Sequence, residues 1–299
     1  DLLVDDFALP RPLGKVAEDT VDLGVTILIP KGAERVETTG VAGDVLSWHA
    51  TVSKQDGLWD VDRGIVTFGG ETDADLVPET RGLHLRGTTD YVHIRRWFEL
   101  GKESEGKFGT MERIRSVDMA VDNLHVLGQH LVDHRVRLDR SARDWLVQFT
   151  GPEVEGAVFV PYELAGDRPV VMDMERLVLP GDDAAPVEPR TAPDPRDFPG
   201  LSIRAREFAI GIRHFGTLEA EIARVEDGLR SRKIVAVDES FELVAEGSWL
   251  KDANDPLGSR TAVTATLNSS NVGATLSRLG YNAGLVGDDM SALLDLNWS

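Results

Sequence analysis

In the stretch Ser116-Val117-Asp118-Met119-Ala120-Val121-Asp122-Asn123-Leu124-His125-Val126, Val117, Met119 and Val121 hold odd positions, and Leu124 and Val126 hold even ones. Shifted by 84 positions, the pattern returns as Leu201, Ile203 and Ala205, the same slip, then Phe208 and Ile210. The match continues without a gap: His130 falls on His214, Leu131 on Phe215, Val136 on Ala220, Leu138 on Ile222, Arg140 on Arg224 and Trp145 on Leu229. Period-two alternation marks half-buried strands, because successive side chains point to opposite faces. A one-residue slip in that phase marks a bulge or corner. Chance aligns apolar positions more readily than it aligns a slip, so this stretch reads as an internal β repeat.

Outward from it the same texture recurs. Val25, Ile27 and Ile29 alternate with Thr26 and Leu28 until Pro30 ends the run. Val45 to Val52 is a second candidate strand; Lys54-Gln55-Asp56-Gly57 reads as a turn and Leu58-Trp59-Asp60-Val61 as its partner strand. Two short helices are expected. Tyr91 to Gly101 has helix-spaced apolar residues, Asp90 as N-cap and a glycine stop; Asn271 to Gly280 ends the same way, with Trp97, Leu100 and Gly101 matching Leu276, Leu279 and Gly280. Neither is long enough to hold alone, so each is expected to cap the sheet.

Residues 181–200, with Pro186, Pro189, Pro193 and Pro195 among acidic residues, form a connection between the two repeat copies. The expected organisation is 1–101, strands ending in a short helix; 102–180, the first β repeat; 181–200, the proline-rich acidic linker; and 201–299, the second β repeat with a short helix at 271–280. One continuous extended sheet is expected to run through all of them.

Composition narrows the function classes. The 299 residues carry a formal net charge of −19, and no Lys/Arg run exceeds two residues. Such a surface repels a nucleic-acid backbone and disfavours flat docking on an anionic membrane. A hydrophobic content of 41% supports a sizeable core, and 29 glycines suit many turns. The absence of cysteine removes disulfides, thiol catalysis and cysteine-based metal sites. No apolar stretch reaches the roughly 20 residues that span a bilayer. The chain opens in a strand-like run, Leu2-Leu3-Val4, and stops at Asn297-Trp298-Ser299, so it reads as a segment of a longer protein.

No residues assemble a recognisable catalytic motif, and no cofactor is expected. His130-Leu131-Val132-Asp133-His134 resembles an inverted zincin motif with Asp for Glu, but zinc binding needs both histidines on one helical turn. On a strand they stand about 13 Å apart. Asp252-Ala253-Asn254-Asp255-Pro256-Leu257-Gly258 faintly matches a calcium loop, with Leu257 where the glycine belongs, and reads as a turn. Paired acids of a hydrolase have no local spacing that singles them out.

What remains is the apolar face, either closed as a barrel or sandwich core or open as a binding surface. Its candidate lining is Val25, Ile27, Ile29, Val117, Met119, Val121, Leu124, Val126, Ile203, Phe208, Ile210, Leu218, Ile222, Val235 and Val237.

Several segments resemble the YhdP family of AsmA-like envelope proteins. They are Arg81-Gly82-Leu83-His84-Leu85-Arg86-Gly87 with the Trp97 segment after it, Asn123-Leu124-His125-Val126-Leu127-Gly128-Gln129, and Asp194-Pro195-Arg196-Asp197-Phe198-Pro199. The most specific block is Glu246-Gly247-Ser248-Trp249, then Leu267 to Leu276, Leu279-Gly280 and Leu296-Asn297-Trp298. The resemblance runs from about residue 80 to 299. It implies a mainly β fold: an elongated, twisted antiparallel β-sheet curved into a hydrophobic groove, built from repeats, with two short capping helices. It also implies a periplasmic segment of an inner-membrane-anchored, non-enzymatic protein that carries phospholipid toward the outer membrane. The implied partners are phospholipid acyl chains, the remainder of the same long chain, and inner- and outer-membrane proteins. The competing expectation is a structural or protein-binding β scaffold module without lipid cargo.

Overall fold

The computed structural model describes residues 21–298 except 56, 57, 74, 76, 95, 97–112, 127, 128, 165, 182–193, 256, 283, 285 and 286. Among the described residues, sixteen strands form a single sheet whose spatial order follows the chain. Two compact units divide the chain: residues 1–140 with 149–152, and residues 141–148 with 153–299.

The first unit carries β1 (Leu23–Leu28), β2 (Arg35–Ala42), β3 (Leu46–Gln55), β4 (Leu58–Phe68), β5 (Gly82–His93), β6 (Ile114–Val126) and β7 (Gln129–Arg140). β1 to β4 form an antiparallel meander. The next two pairings, β4 with β5 and β5 with β6, are parallel, and β7 pairs β6 antiparallel. The expected antiparallel sheet is thus interrupted by parallel pairings here. A hairpin cannot join parallel neighbours, so the chain must return along the strand through a long connection. Residues 69–81 make that return between β4 and β5. They pack on polar side chains of the sheet: Ser47 Oγ donates to the Gly70 carbonyl at 2.8 Å, and Thr72 Oγ1 donates to Thr67 Oγ1 at 2.8 Å. Buried hydroxyls are thereby satisfied.

Tyr91, Val92 and His93, expected to open a helix, are instead the last residues of β5, in register with Asn123, Leu124 and His125 of β6. Their short apolar run fits either period, and pairing with β6 satisfies their backbone without the nucleation cost of a short helix; Ile94 and Arg96, the next described residues, are helical. Trp97, Leu100 and Gly101 lie outside the described residues.

The phase slip is shared by three strands. Thr89, Val121 and His134 are aligned, as are Tyr91, Asn123 and Val132; the row between them, Asp90, Asp122 and Asp133, is unpaired in register. Asp133 takes a left-handed φ of 55°. Burial changes phase with it: Val121 and Leu124 are both buried, as are Leu131 and His134.

In the second unit β9 (Val154–Pro161) pairs antiparallel with β10 (Val170–Leu179), which pairs parallel with β11 (Leu201–Ile210). An antiparallel meander follows through β12 (Arg213–Val225), β13 (Gly228–Val237), β14 (Phe241–Lys251), β15 (Ser259–Ser269) and β16 (Met290–Trp298). Strand β8 (Asp144–Thr150) contributes residues to both units. The proline-rich segment between β10 and β11 is therefore a crossover, as a parallel pair requires. The sequence repeat is a structural one: shifted by the same 84 positions, the end of β6 at Val126 and the start of β7 at Gln129 become Ile210 and Arg213, where β11 ends and β12 begins.

The described residues include an α-helix, α1 (Val272–Arg278), and a 3-10 turn at Pro195–Asp197, and Ile94, Arg96 and Arg113 are helical as well. The Asn271 side chain accepts from the Ala274 amide at 2.9 Å, and Gly280 leaves the helix at φ 80°. Two capping helices were expected: α1 is the second, and within the range of the first, Ile94 and Arg96 are helical while 95 and 97–101 lie outside the described residues.

Candidate functional site

Cross-strand register decides which side chains share a face, and in the second unit it assembles apolar rows that run across the strands. One row reads Val158, Met172, Ile203, Ala220, Ile234, Ala245, Ala265 and Leu294, from β9 to β16 without a polar member. The next reads Gly156, Met174, Ala205, Leu218, Ala236, Leu243, Leu267 and Ala292. A third, Val170, Leu201, Ile222, Ser231, Gly247, Val263 and Leu296, carries a single hydroxyl, which Ser231 donates to the Glu221 carbonyl at 2.7 Å. At about 4.8 Å per strand, an eight-strand row is about 34 Å long.

Large and small residues alternate along the second row from Gly156 to Leu243, so bulky side chains shade their neighbours. Met174, Ala205, Leu218 and Ala236 are all buried. The other face carries the charged side chains, among exposed apolar ones such as Val171, Val244 and Leu293. Asp173, Arg204 and Glu219 align on it, as do Glu221 and Lys233, and Arg176 bridges Glu207 at 3.0 Å.

Two elements pack at opposite strand ends of this apolar face. At one end is the tail of the crossover. Phe198 meets Trp249 with ring centroids 5.1 Å apart, and Arg224 donates to the Arg196 carbonyl at 2.9 Å. The Lys251 ammonium pairs with Asp194 at 2.9 Å. Hydrogen bonds from Arg196, then from Lys251, hold the Asp194 carboxyl far below the usual carboxylate range. At the other end is α1. Thr275 donates to the Ser240 carbonyl at 3.1 Å and shares a 2.8 Å hydrogen bond with Ser269. Arg278 pairs with Asp238 at 2.8 Å. Burial pushes Asp238 up, but Arg278 and the Ser240 amide outweigh it and leave the carboxyl below its ordinary value.

The first unit repeats the design. Val25, Gly40, Trp48, Val66, Leu85, Val117 and Leu138 form one row from β1 to β7. Leu23, Ala42, Leu46, Phe68, Gly87, Met119 and Val136 form the next. Ile27, Thr38, Ala50, Gly64, Leu83 and Ile114 form a third. At Gly87 a Cβ would lie 2.0 Å from the Phe68 carbonyl oxygen, so this close approach admits only glycine.

The expected lining residues distribute as follows. Val25, Ile27, Val117 and Met119 lie in the rows of the first unit. Val121 aligns with Thr89 and His134, Leu124 with Val92 and Leu131, and Val126 with Gln129. Ile29 follows the end of β1 and is exposed. Ile203, Leu218 and Ile222 lie in the rows of the second unit. Phe208 aligns with Leu177, and Ile210 with Leu179. Val235 and Val237 do not join them: they face Glu219 and Thr217 on the charged side. The cause is a register shift between Ser231 and Ile234, which turns Ile234 and Ala236 inward instead. The residues missed are mostly small, such as Ala220, Ala236, Ala245 and Ala265, together with Met172, Met174, Leu243 and Leu267.

His130 and His134 lie on β7, as a strand reading requires, and diverge. His130 Nε2 is 3.0 Å from Asn123 Oδ1, and His134 Nδ1 is 2.8 Å from the Val132 carbonyl. His125 stacks on His130 at 4.5 Å; burial, then the neighbouring His130 and His93, lower its pKa. The Asp252–Gly258 segment is a turn closed on itself: Asp252 and Asp255 accept from the amides of Asn254 and Leu257, each at 2.9 Å.

Comparison with curated proteins and with solved structures gives no match. The family model described as YhdP protein matches residues 1–299, the whole sequence. With the repeated β architecture and the shared motifs, this places the chain in the YhdP family of AsmA-like envelope proteins.

Proposed function

We propose that this chain is a periplasmic segment of a longer, inner-membrane-anchored protein that carries phospholipid toward the outer membrane, with acyl chains lying along its apolar rows. One observation carries the reading: unbroken apolar rows cross eight strands in the second unit and seven in the first. Family membership is consistent with a lipid-transport role. A row of about 34 Å exceeds the acyl length of one leaflet, which is half of a roughly 30 Å hydrocarbon core. Such a row is a path rather than a pocket. Each methylene exposed to water costs about 0.8 kcal/mol, and a continuous apolar surface removes that cost at every position along the way. With no charged group inside the rows, neighbouring positions are nearly equivalent and the cargo is free to advance. No bond is made or broken, so the function needs no catalytic group and no cofactor. The partners in this reading are the acyl chains, the rest of the same chain, and proteins of the two membranes.

The test uses β16, where neighbouring residues point to opposite faces. Leu294 joins an apolar row, and Leu293 stands on the other side at 73% exposure. The 299-residue chain is produced in a Gram-negative host and its bound lipid measured by native mass spectrometry with extraction. Wild-type protein and Leu293→Glu are expected to retain phospholipid, and Leu294→Glu to lose most of it. A folded wild-type protein that stays lipid-free after incubation with phospholipid vesicles would instead support the scaffold reading.

A further inference from the structure

In an acidic chain, the first unit gathers arginines in one place. A cavity at the strand ends is lined by Asp60, Val61, Asp62, Arg81, Arg113, Ile114, Arg115 and Arg140. Four of these side chains are cationic and two anionic, while the whole chain carries −19. The two carboxylates are already engaged. Asp62 receives Arg35 at 2.8 Å on one oxygen and Arg81 at 3.0 Å on the other, and Asp60 forms an ion pair with Arg113 at 2.7 Å. A guanidinium has five N–H donors, and these contacts use one or two of each, so the carboxylates aim the forks without exhausting them.

Arg115 is placed by a bulge. The register passes from Leu83 opposite Ile114 to His84 opposite Ser116, which leaves Arg115 outside the ladder and exposed. Bulges re-aim side chains in this way. Gly82 lets the backbones close beneath it, since a Cβ there would meet the Arg113 carbonyl oxygen at 2.7 Å. The same cavity touches the apolar face: Ile114, between Arg113 and Arg115, belongs to the row that contains Leu83 and Gly64. On the charged side, Asp139 lies opposite Ser116. His84, hydrogen-bonded to Ser116 at 2.7 Å, has its pKa lowered by burial and then by Arg115, the Thr80 contact opposing.

We propose that this arginine-rich rim cavity binds a phosphate group, and that the phosphate is that of a phospholipid whose acyl chains lie on the adjoining rows; the second clause rests on the lipid-carrier reading above. Arginine forks match phosphate oxygens in paired hydrogen bonds, and a locally positive cavity on a negative surface concentrates anions there. Acyl rows without charged groups set no register for the cargo, whereas a rim site of this kind gives it a stopping place.

The test titrates the whole chain calorimetrically with three probes: inorganic phosphate, a short-chain phosphatidylglycerol below its micelle concentration, and a neutral monoacylglycerol. The variant is Arg81→Gln/Arg115→Gln, at two exposed side chains. The expected result is that the phospholipid binds tighter than phosphate, that the variant weakens both on the order of tenfold, and that the monoacylglycerol binds both proteins equally. Phosphate bound without any phospholipid preference would make this a free-phosphate site and overturn the lipid clause. Equal phospholipid binding by wild type and variant overturns the rim site while leaving the apolar rows intact. Failure of the monoacylglycerol and the phospholipid alike removes the carrier reading, and the lipid clause with it.

Discussion

Leu218 of β12 stands opposite Ala236 of β13, a large residue against a small one, and both are shielded from solvent. Their summed volume fixes how the apolar row closes at that point. Leu218→Ala is expected to cost about 2–5 kcal/mol through the cavity it leaves. Ala236→Leu is expected to cost about 1–3 kcal/mol through overpacking. The double variant moves the bulk across the pair and is expected to be more stable than the sum of the two losses. Urea denaturation of the four proteins provides the cycle, and strict additivity would show that the two side chains do not share space.

The face reversal at β13 gives a second prediction. Ile234 lies in an apolar row, and Val235 lies between Glu219 and Val244 on the other side. Val235→Lys is expected to change stability by no more than about 0.5 kcal/mol and to leave bound lipid unchanged. Ile234→Lys is expected to destabilise by several times that amount, because it places a charge among apolar neighbours. Thermal unfolding of the two variants checks the order.

That reversal also marks where the sequence stops being readable. Val117, Met119 and Val121 alternate cleanly, and the slip before Leu124 is visible because two acidic or amide residues stand together. The run Ile234-Val235-Ala236-Val237 is apolar at every position, so its period names no face. Bulk suggests the valines point inward; the shift after Ser231 turns Ala236 inward instead. Alanines such as Ala220 and Ala265 carry too little hydrophobic signal to be noticed, yet the rows depend on them. The helix at Asn271 was legible from its cap and its glycine. The strand ending of β5 was not, since only its partner β6 decides it. Nor do the parallel joins leave a local mark, apart from the long connections they require.

The Asp194 clamp predicts a pH dependence. Its carboxyl, ordinarily near 3.8, is lowered in the fold by Arg196 and Lys251. A depressed carboxylate stabilises the fold above its ordinary value, and that contribution is lost as pH falls from there through the folded value. Protection against hydrogen exchange around Arg196 to Phe198, taken relative to the intrinsic rate at each pH, is therefore expected to fall as pH drops below about 4. Asp194→Asn is expected to show faster exchange already at neutral pH, with little further acid response. Unchanged exchange in that variant would mean that the Phe198–Trp249 contact alone holds the crossover.

Gly87 predicts a local intolerance. Its φ of 121° and its approach to the Phe68 carbonyl leave no room for a side chain. Gly87→Ala is expected to destabilise by about 1–3 kcal/mol, with the loss centred on the parallel β4–β5 pair. Gly284→Ala, where a Cβ would meet nothing within 4 Å, is the matched control and is expected to be near neutral.

The meander from β11 to β16 treats length as a modular quantity. Each added hairpin would extend every apolar row by two strands, or about 10 Å, without altering the chemistry of either face or the edge from which the next strand departs. A protein built this way changes its length by gaining or losing whole hairpins. Homologues of different length would then differ in their number of hairpins, while the cross-section of the sheet stays the same.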